Sequence, residues 1–297
     1  MQKIKRSYGM TTKTLHKHSW FRDTDFHTIN TEKPFPDKCL NLKKRLGGIQ
    51  AVSGEVFLVI DAAGQKYKLH RCKNTARARR IAMIVNLLQK VFPALIGRDR
   101  CYILFSFVNG RTLEKRRTIK ECFEMGKLCS YVSAIQIKGN FHFSFQRKLN
   151  DLASNKLLAP AEKKSLQQIY FQLKKQVKLC SVLELWDSGL PNFMVSEGKI
   201  FFVDEGGAEI SIRGSCLLSM IEKLNSKQFK SFSQGYGGRK AMTFFTSEYE
   251  LLLRLFYFVG IIFARMKRGD KRINKYLKPL KYFARKGKPP IRFLMKR

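Results

Sequence analysis

"LWDSGLPNFMV" (residues 185–195) and "KIFFVDEGG" (residues 199–207) each set one aspartate beside an apolar run, in a chain with 22 acidic residues against 58 lysines and arginines. Four residues separate Asp187 from Asn192, and they include Gly189 and Pro191, so the stretch between is a loop. Asp204 closes the second apolar run and precedes Glu205-Gly206-Gly207. Two oxygen-bearing side chains, Asn192 and Asp204, suit a hard cation such as Mg²⁺, which takes few protein ligands and adds substrate phosphates. A further carboxylate nearby, Asp187, suits accepting or orienting a hydroxyl proton. Taken singly, each aspartate reads as a turn former or a cap. The chemistry rests on the three together.

Positioning them requires a hairpin. An apolar strand after Asn192, a turn at "SEGK" and a second apolar strand would bring residue 192 beside residue 204, with Asp187 just beyond. Upstream, "EVFLVI" and the alternating "KYKLHR" flank the turn-like "DAAGQK", a second hairpin, and the glycine-containing "GGIQAVSG" precedes it. "NTARARRIAMIVNLLQKVF" has helical apolar spacing with Asn74 or Thr75 as N-cap, and "RCYILFSFVNGRTL" reads as a buried strand ending at a glycine turn. From about residue 112 the pattern is mainly helical, as in "KECFEMGKLCSYVSAIQ" and "AEKKSLQQIYFQLKKQVKLC", while "KGNFHFSFQRKLNDL" is ambiguous. The expected class is α+β: a small β-rich lobe and a larger helical lobe around a shared cleft. The expected division is a basic arm (1–40), a first lobe (41–110), a second lobe (111–265) and a basic C-terminal segment (266–297).

The formal charge of +36 implies attraction to polyanions, whether nucleic acid, an anionic membrane surface or a phosphorylated substrate. Seven cysteines without a CxxC pair argue for reduced thiols in the cytoplasm and against a zinc site. His16 and His18, with His27 nearby, find no cysteine or carboxylate cluster to complete a metal shell. The basic N-terminus lacks the apolar core of a secretory signal. "LLLRLFYFVGIIFA" (251–264) is short for a membrane span and is interrupted by Arg254, so a buried or interfacial helix is expected.

With these pieces in order, residues 45–215 resemble the protein-kinase-like superfamily. The likeness is to its aminoglycoside phosphotransferase-like and lipopolysaccharide-core kinase branch. The resemblance implies Asp187 as catalytic base and Asn192 and Asp204 as Mg²⁺ ligands. It implies Gly47, Gly48, Ser53 and Gly54 in a loop covering the phosphates of ATP, and Ser106 and Val108 in the nucleotide-binding hinge strand. A cation on the third strand would meet the α- and β-phosphates; Lys68 is chosen, with His70 the other candidate. Two departures stand out: Leu185 occupies the place of a customary histidine, and Ile81 that of the helix glutamate that would pair the lysine. Glu205 could join the metal site, although its usual counterpart packs in the core or points away.

The C-terminal "RMKRGDKRINKYLKPLKYFARKGKPPIRFLMKR" interleaves Tyr276, Leu277, Leu280, Tyr282, Phe283, Ile291, Phe293 and Leu294 among cations. A solvated helix face is one reading; a surface gripping anionic lipid headgroups or a phosphorylated saccharide is the other. The function expected is an ATP- and Mg²⁺-dependent phosphotransferase acting on a hydroxyl of a small molecule or glycan, with a lipopolysaccharide-core-type sugar favoured. Its expected location is the cytoplasm or the inner face of the membrane. The alternatives are a kinase-fold protein without transfer activity and a polyanion-binding protein; nucleic acid is the minor choice, since no RNP motif or zinc finger supports it.

Overall fold

The computed structural model describes residues 41–45, 54–61, 63–137, 141–177, 180–185, 188–238 and 245–290. Gly47, Gly48, Ser53, Asp187 and the histidines at 16, 18 and 27 lie outside them. In chain order the first elements are β1 (Asn41–Arg45), β2 (Gly54–Ile60), β3 (Lys66–Cys72), α1 (Thr75–Leu87), β4 (Leu95–Asp99), β5 (Tyr102–Ser106) and β6 (Arg111–Thr112). Helices α2 (Ile119–Ser133), α3 (Phe141–Ser154) and α4 (Pro160–Gln176) follow, then strands β7 (Ser181–Leu185), β8 (Phe193–Ser196), β9 (Lys199–Phe202) and β10 (Ala208–Ile212). Four helices end the series: α5 (Ser215–Ile221), α6 (Ser226–Gly235), α7 (Ser247–Lys267) and α8 (Asn274–Lys286). The chain divides into two compact units, one of residues up to 121 with 187–209, the other of 122–186 and 210–297.

The first unit holds an antiparallel five-stranded sheet in the order β1-β2-β3-β5-β4. Its central hairpin forms because Asp61 organises the turn: the carboxylate accepts from the N–H of Ala63 and Gln65 at 3.0 and 2.9 Å and from the Tyr67 hydroxyl at 3.1 Å. α1 starts at Asn74, the first of the two candidate N-caps, whose side chain accepts from Arg77 N–H at 2.9 Å. Its apolar face, including Ala78, Ile81 and Ala82, is buried, and the helix packs on β3, β4 and β5. A smaller sheet, ordered β6-β8-β9, completes the unit.

The second unit is built on α3, α4, α7 and α8, whose inward faces share one apolar core. Phe145 stacks on Tyr170 at 4.5 Å and meets Phe256 at 4.9 Å, joining three of those helices. The ambiguous segment is thus helical, with Phe145, Leu149 and Leu152 on its buried face. β7 pairs with β10, and Glu184, the penultimate residue of β7, accepts from Ser133 Oγ, Gly214 N–H and Cys216 N–H at 2.8, 2.8 and 3.1 Å. Burial pushes that carboxyl above the usual range. Among the described residues, no helix is long and apolar enough to cross a membrane.

The C-terminal expectation needs correction. Tyr276, Leu277, Leu280 and Phe283 are core residues of the second unit rather than a lipid-gripping surface. They recur at helical spacing on α8, so the lysines and arginines between them occupy the outer face. Tyr282 alone of the described set is exposed, and Ile291, Phe293 and Leu294 lie outside the described residues.

Candidate active site

The hairpin expected around Asn192 and Asp204 is present. β8 and β9 pair in register from Phe193↔Phe202 to Ser196↔Lys199. Glu197 and Gly198, at φ 49° and 75°, make the tight turn between them, a conformation in which both central residues need positive φ. At the open end the ladder continues one step, with Val203 N–H donating to Asn192 C=O at 2.8 Å. Asn192 and the residue before Asp204 are therefore directly bonded through the backbone. The hairpin is anchored within its unit by Phe202 N–H to Val91 C=O at 2.8 Å and by edge-to-face packing of Phe202 on Phe92 and Phe193.

Asp204 is half-buried and leads into a single 3₁₀ turn, Glu205–Gly207, closed by Gly207 N–H to Asp204 C=O at 2.9 Å. The two glycines suggest an unusual backbone path, but neither has positive φ. Gly207 is needed for space: a Cβ there would lie 2.9 Å from Asp204 Oδ2. The absent methyl leaves a cradle for the aspartate carboxylate. With the Asn192 side chain this provides oxygen donors of the kind Mg²⁺ takes, so the residues present fit that ion.

Lys68, on the third strand, reaches the same turn. Lys68 Nζ donates to Glu205 Oε2 at 2.7 Å and to Val203 C=O, so it bonds to both neighbours of Asp204. His70, the other candidate, is 1% exposed within the sheet. Glu205 is the residue whose role the sequence concealed. It is 1% exposed, and burial pushes its carboxyl up while the Lys68 ammonium pulls it back. Its partner lies 137 positions away, so no local pattern could have revealed it. Burial likewise raises the nearby Cys72 thiol to about 12, leaving it protonated and inert at neutral pH.

The remaining positions are less telling. Gly54 opens β2 opposite Cys72. Ser106 closes β5, and its hydroxyl and N–H are both bonded to Ala94, at 3.0 and 2.9 Å, which ties β5 to the loop before β4. Val108 is half-buried in the following loop. Lys68, Ser106, Val108, Asn192, Asp204 and Glu205 all belong to one compact unit.

No family model matches the sequence, and no curated protein does. Solved structures match throughout most of the chain. A putative fructosamine-3-kinase from Thermobifida fusca superposes with a TM-score of 0.59 at 11% identity, covering 83% of this chain and 93% of its own. An ADP-bound aminoglycoside phosphotransferase gives 0.58 at 12% identity over 83% and 93% of the two chains. The macrolide 2'-phosphotransferase of Brachybacterium faecium gives 0.57 at 13% identity over 81% and 93%. The chain has the protein-kinase-like fold. Its N-terminal antiparallel sheet and helical C-terminal part correspond to those of the small-molecule kinases.

Proposed function

We propose that this kinase-like chain is an ATP- and Mg²⁺-dependent phosphotransferase that phosphorylates a hydroxyl of a small molecule or glycan. The observation that carries the reading is the β8–β9 hairpin, which sets Asn192 and Asp204 at one end, with Lys68 bonded to either side of Asp204. In this reading Asn192 and Asp204 hold Mg²⁺, which when bound neutralises charge on the phosphate oxygens. Lys68 contacts the α- and β-phosphates, Gly47, Gly48, Ser53 and Gly54 cover them, and Ser106 and Val108 border the base. Asp187 orients the acceptor hydroxyl and takes its proton. The acceptor oxygen forms a bond to the γ-phosphorus as the bond to the β–γ bridging oxygen breaks, and ADP departs with that oxygen. Positioning and charge neutralisation supply the rate, because the protein has little covalent chemistry to perform.

The net charge of +36 favours an anionic acceptor such as a phosphorylated, lipopolysaccharide-core-type sugar. α8 supports that preference: it has no acidic residue, and its outer face carries Lys275, Lys278, Arg285 and Lys286. The test is transfer of labelled γ-phosphate to a panel spanning aminoglycosides, choline, free sugars and a bacterial glycolipid extract. Label in one acceptor that Asp187→Asn abolishes supports the reading. ATP binding without label in any acceptor, and without ADP release, favours a kinase-fold binding protein instead.

Gly207 offers a quieter check. Gly207→Ala introduces a methyl against the Asp204 carboxylate, an end that can swing away. The expected result is a loss of roughly 10- to 100-fold in turnover, the scale of an ångström-sized misplacement, with a nearly unchanged melting temperature. Initial rates and thermal melts on one preparation check both halves.

A further inference from the structure

We infer that Glu205 is the positioning residue for Lys68, a duty for which α1 has no residue to offer. The inference rests on the phosphotransferase reading and deepens it. α1 contains no aspartate or glutamate along its whole length, and Ile81 is a core residue at 1% exposure. A lysine held near phosphates needs a fixed carboxylate, or its four-carbon stem samples many rotamers. That carboxylate comes from the turn after β9, which packs on α1.

The geometry is restrictive. The Lys68 and Glu205 side chains are 13% and 1% exposed, and Nζ to Oε2 is 2.7 Å. Glu205 Oε1 is buried without a hydrogen-bond partner among the described residues. Lys68 is thus the group that compensates this buried charge, and loss of the ammonium would leave it exposed to the full desolvation penalty. Lys68 uses two of its three N–H bonds, on Glu205 and Val203, which leaves one for a phosphate oxygen.

Glu205 and Val203 flank Asp204, so the lysine and the proposed metal ligand are fixed by the same turn. A carboxylate on a helix would let the two move independently; here displacement of Asp204 carries the anchor of Lys68 with it. Glu205 touches neither substrate nor the reacting atoms and acts only through Lys68.

The test is a double-mutant cycle on nucleotide affinity, read by calorimetry with MgATP and with adenosine, which has no phosphates. Glu205→Gln keeps shape and one acceptor oxygen, so it preserves the fold better than Glu205→Ala; thermal melts accompany each variant. Glu205→Gln is expected to weaken MgATP about tenfold while adenosine affinity is unchanged, and to add nothing once Lys68→Met is present. Equal losses for MgATP and adenosine, or the same loss with and without Lys68, would overturn the assignment. So would unchanged MgATP affinity in a folded Glu205→Gln protein, and that result would leave the phosphotransferase reading standing. A wild type that binds no nucleotide would overturn both.

Discussion

Asp204→Asn is expected to remove phosphoryl transfer while leaving the fold intact. The substitution keeps the volume and one oxygen but deletes the negative charge. The backbone bond that closes the following turn, Gly207 N–H to Asp204 C=O, is untouched. So is the β8–β9 ladder that places the residue. A carboxylate that holds a phosphate-bridging cation contributes several kcal/mol of transition-state stabilisation, and about 4 kcal/mol corresponds to roughly a 10³-fold fall in kcat. Turnover at saturating Mg²⁺ and a thermal melt on the same sample check it. A variant that retains more than a tenth of wild-type activity would rule out Asp204 as the proposed Mg²⁺ ligand.

The largest stability effect is expected far along the chain, in α7. Arg254 interrupts an apolar run and is fully buried; its Nε and a terminal nitrogen donate to Glu250 Oε1 at 3.0 and 2.9 Å. Glu250 precedes Arg254 by one helical turn, the favourable orientation for such a pair. Burial depresses the guanidinium's pKa and the Glu250 charge opposes that shift. Glu250→Ala therefore removes the carboxylate hydrogen-bonded to a fully buried guanidinium, and destabilisation of about 3–5 kcal/mol follows. With a urea slope of about 2 kcal/mol/M, the midpoint drops by roughly 1.5–2.5 M. Glu250→Leu combined with Arg254→Met, which exchanges the pair for apolar volume, is expected to recover most of the loss. A single variant within about 1 kcal/mol of wild type would show that the pair is not needed.

How far the sequence was legible depended on the range of the forces involved. The β8–β9 hairpin could be read because everything that makes it is local: two apolar runs, a turn containing Gly198, and a register that brings Asn192 beside Val203. α1 was equally clear from Asn74 and the spacing behind it. The start of α3 was not, because "FHFSF" alternates with the period of a strand while Phe145, Leu149 and Leu152 follow that of a helix. β1 and β4 are short and carry charged residues, and each is held as a strand by pairing with the strand that follows it; β10 pairs instead with β7, from the far side of the β8–β9 hairpin.

The same distinction explains the misplaced tail. Cations between Tyr276, Leu277, Leu280 and Phe283 make α8 look like a surface device, yet four apolar positions on one face are sufficient to join the core of α4 and α7. Arg254 reads in sequence as a break in an apolar helix, but Glu250, one turn earlier on the same face, pairs with it. Glu205 is the clearest case. Its neighbour Asp204 could be singled out by type and spacing, but its own role depends on a lysine in β3 that only the folded chain brings near.

The deciding measurement is Mg²⁺-dependent ATP binding to the full chain by calorimetry, wild type beside Asp204→Asn, because this needs no knowledge of the acceptor. The expected result is one nucleotide per chain, bound more tightly with Mg²⁺ than without, and a variant in which the Mg²⁺ dependence is gone. GDP serves as a control for base preference. A wild type that binds neither nucleotide, or one whose affinity ignores both Mg²⁺ and Asp204, would overturn the phosphotransferase reading and leave a kinase fold put to another use.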